Sequence, residues 1–170
     1  AITYGSSAIP PQVVNDSIVW FTRVARTARL IQYDYASDKW ISPDLTRIAR
    51  HIMLGEDASE SGILQTAFQQ EPYPILWAVR GDGELIGMTY ESQESVYAWF
   101  RVVTDGVFES ICVAPQANDE DRIWVVVKRT INGSDVLYIE YFKPFELFGE
   151  ITDFILLHSG ITYDGTATTS

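Results

Sequence analysis

Three observations predict a mainly β protein of antiparallel meanders, arranged as two or three propeller-like blades with one inserted α-helix. Aromatic residues make up 13% of the chain and sit with Val, Ile and Thr in short runs bounded by Gly, Asp, Asn and Pro, the pattern of strands and turns. Asp-Gly and Asn-Gly pairs separate several of these runs, and such pairs favour hairpins because primed turns need positive φ, which these residues tolerate. A tryptophan-led pattern also recurs. Ser17-Ile18-Val19-Trp20, Pro74-Ile75-Leu76-Trp77 and Arg122-Ile123-Trp124 each open an apolar strand ending at a base, followed by a turn and a strand ending in Tyr.

Taken in chain order, Ser17–Arg23 and Arg29–Tyr35 predict a first pair of strands. The helix is predicted over residues 43–54, where Leu45, Ile48, Ala49, Ile52 and Met53 fall at helical spacing. Ser42 is placed to cap it, Pro43 takes the first helical position and Gly55 follows the end. Asp44 at its start, and Arg50 and His51 at its end, complement the helix dipole. Residues 56–62 then read as a polar loop and Ile63–Gln70 as a strand. Six further strands are expected as a nearly continuous meander: Ile75–Arg80 and Glu84–Glu91 about Gly81-Asp82-Gly83, Val96–Thr104 and Val107–Val113 about Asp105-Gly106, and Arg122–Arg129 and Asp135–Phe142 about Asn132-Gly133. Residues 118–121 read as a loop and 165–170 as a frayed tail.

The spacing of Trp20, Trp77 and Trp124 is compatible with blade periods of ~40–50 residues plus an inserted helix in the first interval. Blade-like units are expected over about residues 13–40, 63–104 and 107–145, within one β-rich domain covering 1–170. Three units are fewer than the usual ring of about 4–8 blades, which reads as an open array that other segments or chains complete. The missing initiator Met points the same way, toward a processed or excised piece of something longer.

Composition bounds the function. The chain has 170 residues, 46% hydrophobic and 21% charged, a folded rather than disordered composition. Twelve Lys and Arg against twenty-three Asp and Glu give a net charge of −11, which argues against tight nucleic-acid binding and against an anionic membrane surface. No apolar run reaches the ~18–20 residues of a membrane span. Cys112 is the sole cysteine; it excludes an intrachain disulfide and a multi-cysteine metal site, and reads as a buried small apolar residue.

Residues that carry chemistry are sparse, and the expectation is a protein that is not an enzyme, with no catalytic residue, cofactor or metal site. Glu91 with Glu94, and Asp119-Glu120-Asp121, are the paired-carboxylate candidates, but they fall in turns or strand ends, where solvated acids are the rule. The acidic triplet lacks the alternating ligand spacing of a calcium loop. His51 and His158, the only histidines, have no second His or Cys at ligand spacing. Neither a nucleophile elbow nor a phosphate loop is present. Of the five tryptophans, Trp20, Trp77 and Trp124 hold equivalent places in the repeat and are expected to pack between sheets. Trp40 and Trp99 are the less constrained pair and the candidates for ligand binding, sugars in particular.

The run Ala67-Phe68-Gln69-Gln70-Glu71-Pro72-Tyr73-Pro74-Ile75-Leu76-Trp77-Ala78-Val79-Arg80-Gly81-Asp82-Gly83 resembles the Ala-Tyr-Gln-Gln-Glu-Pro…Trp-x-Val-Arg-x-Asp-Gly signature of a family of tailed-phage and prophage virion proteins. Leu85–Tyr90, Glu94–Trp99, Thr104–Ser110 and Val126–Gly133 are similar in the same order, and the likeness runs from Tyr4-Gly5-Ser6 through Asp44-Leu45-Thr46 and His51 to Ser159–Gly165. The chain departs from the pattern at Phe100-Arg101-Val102, where relatives carry a His-rich stretch, and at Ala78, where Cys is common.

The resemblance implies a structural role in the phage tail, in a tube, hub or nozzle, made in the bacterial cytoplasm and partnered by other virion proteins. Self-association is expected as well, because an open array leaves strand edges unpaired. The rival reading is a carbohydrate-binding or receptor-binding β module; a glycosidase stands third. If the chain lines a DNA exit path, Asp82, Glu84, Asp119, Glu120 and Asp121 are expected to gather as an acidic wall past which a duplex slides without sticking.

Overall fold

The computed structural model describes residues 4–55, 62–117, 119–143 and 159–160. Its described residues are mainly β, in three antiparallel sheets with one short helix. The first sheet runs β1 (Gln12–Val14), β2 (Ser17–Phe21), β3 (Ala28–Asp34) and β4 (Lys39–Ile41). The second runs β5 (Ile63–Gln69), β6 (Ile75–Arg80), β7 (Leu85–Glu91) and β8 (Val96–Val102). The third comprises β9 (Val107–Ala114), β10 (Arg122–Ile131) and β11 (Ser134–Tyr141). Within each sheet every strand pairs with its neighbour in sequence. The expected polar loop over 56–61, His158 and the expected tail over 165–170 lie outside the described residues.

The second sheet is the middle layer. Alternation along β6 sends Leu76 and Ala78 to one face, where they pack with Ile86, Met88, Tyr90 and Trp99 against Val14, Val19, Phe21, Ala28 and Leu30 of the first sheet. Ile75, Trp77 and Val79 point the other way, and with Leu85 they meet Phe108, Ile111, Ile123, Val125 and Val127 of the third sheet. Burial on both faces explains why β6 reads as a continuous apolar run rather than an alternating one.

The first strands of the three sheets lie side by side and are stitched by glutamines. Gln12 of β1 donates through Nε2 to Thr66 Oγ1 (3.2 Å) on β5. Gln65 of β5 donates to the Ile111 carbonyl on β9 (2.9 Å) and accepts from the Ile111 N–H (3.2 Å) and the Ser110 hydroxyl (2.9 Å). A register shift between Ile63 and Gln65 pairs Gln65 with Val79, and so turns it onto the face that meets the third sheet.

Four expectations need correction. The helix covers only Arg50–Met53 (α1), with Ala49 in the N-cap position and no side-chain cap. Residues 43–45 are instead extended beside β3: Leu30 N–H donates to Pro43 O, Leu45 N–H to Ala28 O, and Arg29 bridges Asp44. Asp44 accepts from both the N–H and the hydroxyl of Thr46, a side-chain turn that competes with helix. Ser42 accepts from Arg29 rather than capping anything.

Second, Asp105-Gly106 is not a hairpin tip, because β8 pairs with β7 and β9 with β10. It is the crossing between sheets, and Gly106 lies so close to the Lys128 carbonyl that an added Cβ would sit 2.7 Å from it. Third, Trp20 does not match Trp77. Val19 and Phe21 face the middle sheet, so Trp20 between them faces away, whereas Trp77 looks toward the third sheet. Fourth, Cys112 is exposed.

Candidate functional site

Both ends of the three-sheet stack present outward faces. On the third sheet, Val125 and Val127 face inward, so Trp124, Val126 and Lys128 face out. Register places Cys112 and Tyr141 opposite Trp124, Ile139 opposite Val126, and Leu137 opposite Lys128. Leu137 is 63% and Ile139 76% exposed. The Trp124 and Tyr141 rings lie 5.3 Å apart, with the Arg122 guanidinium 5.2 Å above Tyr141. Lys128 ion-pairs with Glu109 at 3.0 Å, and the hydrogen bond it donates to that carboxylate holds the ammonium above its ordinary pKa. An open groove of about 390 Å³ runs between Glu109, Val126, Lys128, Asp135 and Leu137.

On the first sheet, Tyr33 and Trp40 are directly opposed across β3 and β4. Ala28 and Leu30 of the same strand face the middle sheet, so Tyr33 faces outward. The Tyr33 ring lies edge-on to Tyr35 at 4.9 Å and to Trp40 at 5.4 Å. Trp40 is 65% exposed, Tyr35 88%. The Tyr33 hydroxyl donates to Asp38, which raises its pKa. Asp34 accepts from Ala36 N–H (3.2 Å) and from the Ser37 hydroxyl; these bonds, with the Ser37 hydroxyl first, lower its pKa.

Trp40 and Trp99 are not brought together. Trp99 is only 9% exposed, sits in the core between the first and middle sheets, and donates its indole N–H to Leu45 O at 2.9 Å. Tyr33 and Tyr35 are expected from the sequence only as strand ends and not as site residues, although their alternate spacing, seven and five positions before Trp40, is a signal that they share its face.

The acidic candidates are largely committed to local contacts. Asp82 and Glu84 both ion-pair with the buried Arg80, and Glu84 also reaches Arg101. Burial pushes the Asp82 carboxyl up, but the Arg80 hydrogen bond and the Glu84 N–H outweigh it and hold it below the ordinary range. These two acids are therefore no part of an open acidic wall. Asp121 accepts from the N–H groups of Gln70 (2.8 Å) and Glu71 (3.1 Å), tying the β5–β6 loop to the start of β10. Asp119 accepts from Glu120 N–H at 2.9 Å. Among the described residues there is no cluster of three or more metal-ligating side chains, and no helix long and apolar enough to cross a membrane. No protein-family model matches the chain, and neither does any curated protein.

Proposed function

We propose that this chain is a non-enzymatic structural protein of a phage virion, of the tail tube, hub or nozzle type, working by assembly with other virion proteins and with copies of itself. The three sheets act as propeller-like blades. What supports that reading is the convergence of β1, β5 and β9: each sheet begins at a shared line, joined by Gln12 and Gln65, and stacks its face on the next, as blades do about a propeller axis. The virion assignment rests on the Ala67–Gly83 run and its companion motifs.

The observation that carries assembly is the outer face of the third sheet. Trp77 and Trp124 sit on corresponding faces of β6 and β10; Trp77 is covered by the third sheet, whereas Leu137 and Ile139 beside Trp124 are exposed. An apolar patch rimmed by charge marks an interaction surface. The occupant it fits is a second copy of this chain, because Lys128 and Glu109 lie side by side; rotation about a two-fold offers each charge its opposite. Sedimentation velocity on the wild type and on Leu137→Asp with Ile139→Asp tests this. Concentration-dependent association that the double variant abolishes is expected; a wild type monomeric at every concentration would refute it.

A further inference from the structure

We propose that the Tyr33, Tyr35 and Trp40 patch is a binding site for neutral oligosaccharides, independent of the assembly face at the other end of the stack. A pyranose has an apolar C–H face and a rim of hydroxyls, so its recognition needs a flat, uncovered aromatic face with hydrogen-bonding groups at its edge. Trp40 supplies the face: it is mostly exposed, and the Tyr33 ring packs against it in a T-shaped arrangement from the opposing strand. Tyr35 extends the patch, perpendicular to Tyr33. Rigid Tyr and Trp rings give large contact area at little conformational-entropy cost.

The polar rim is already in place. Asp38 sits in the turn joining the two strands and meets the patch through Tyr33, whereas Asp34 and Lys39, paired across the strands, alternate to the opposite face. The turn is fixed before any ligand arrives, by the Tyr33–Asp38 hydrogen bond and by Asp34 holding Ala36 and Ser37. Preorganisation of this kind removes part of the entropic penalty of binding. The free lone pairs of the Asp38 carboxylate accept from sugar hydroxyls.

Charge selects among ligands that stack. Nucleobases also lie well on Trp and Tyr, but their phosphates would meet Asp38 on a chain of net charge −11, where neutralisation of phosphates by basic side chains contributes little affinity. Sialylated and uronate glycans meet the same repulsion. Neutral hexose and N-acetylhexosamine oligomers do not.

The test uses the full chain with chitotetraose, cellotetraose and maltotetraose, and oligo-dT as the anionic stacking control, following the Trp40 indole N–H of the wild type by NMR and the affinity of wild type and variants by isothermal titration calorimetry. At least one saccharide should shift that resonance saturably. Trp40→Ala should lose affinity by about tenfold or more, as expected of an aromatic anchor, and Tyr35→Ala by a smaller factor. Trp40 is exposed, so an unchanged unfolding transition checks that the variant folds. Failure of all three saccharides to saturate, equal binding by Trp40→Ala, or oligo-dT binding at Trp40 would each overturn the proposal. Leu137→Asp with Ile139→Asp leaves saccharide binding unchanged, which separates this site from the assembly face.

Discussion

Gln65 presents its side-chain amide to the backbone of Ile111, donating to the carbonyl and accepting from the N–H as a neighbouring strand would. The middle and third sheets are thus joined at their first strands by one residue, in addition to their apolar contact. Gln65→Ala leaves the Ile111 groups without those partners and should destabilise the fold by about 1–3 kcal/mol. Urea unfolding of the variant checks this, and Gln65→Glu, which cannot donate to the carbonyl, should fall between the two.

Gly83 and Gly133 separate backbone strain from collision. Both hold positive φ, at 80° and 78°, but a Cβ on Gly83 would lie 2.1 Å from Val107 Cγ1, whereas one on Gly133 meets nothing within 4 Å. Gly133→Ala should cost about 1–2 kcal/mol through backbone conformation alone. Gly83→Ala should cost more, by roughly 1–3 kcal/mol of overpacking, and Val107→Ala in the same chain should recover part of that difference in thermal unfolding.

Most strands were legible because their signals are local. Ile75–Arg80 and Asn132-Gly133 carry their own strand and turn chemistry, and the structure uses both as expected. The helix over 43–54 misled because helical spacing of Leu45, Ile52 and Met53 also serves a chain that crosses the core once; pairing of residues 43–45 with β3 wins over propensity. Asp105-Gly106 has the composition of a hairpin, and only contacts distant in sequence, at Lys128, make it a crossing. Trp40 and Trp99 look alike in sequence, and the difference between them is set by the Leu45 carbonyl, 54 positions away from Trp99.

Arg80 anchors α1 to the middle sheet. Its guanidinium donates to the Ile52 carbonyl and pairs with Asp82 and Glu84. Arg80→Met should destabilise by about 3–5 kcal/mol, since it strands two partly buried carboxylates. In calorimetry, Arg80→Met combined with Asp82→Asn and Glu84→Gln should regain much of the loss.

Acid should weaken the link between β10 and β11. Arg129 binds Glu140 through two hydrogen bonds of 2.7 and 2.8 Å, and that contact, ahead of opposing burial, holds the Glu140 pKa below its ordinary value of 4.5. A lowered folded-state pKa stabilises fully above the unfolded value and is lost as pH falls through the folded one. Stability measured against pH should therefore drop below the ordinary Glu value, and Glu140→Gln should be less stable at neutral pH with a shallower acid limb.

The outer face of the third sheet carries a built-in reporter. Cys112 is exposed and lies directly opposite Trp124, at the centre of the surface assigned to assembly. Its rate of alkylation by a small maleimide, followed across a wide range of protein concentration under native conditions, tests that assignment most directly. The rate constant should fall as concentration rises, and Ile139→Asp should restore it to its dilute value. A rate constant independent of concentration in the wild type would contradict the account.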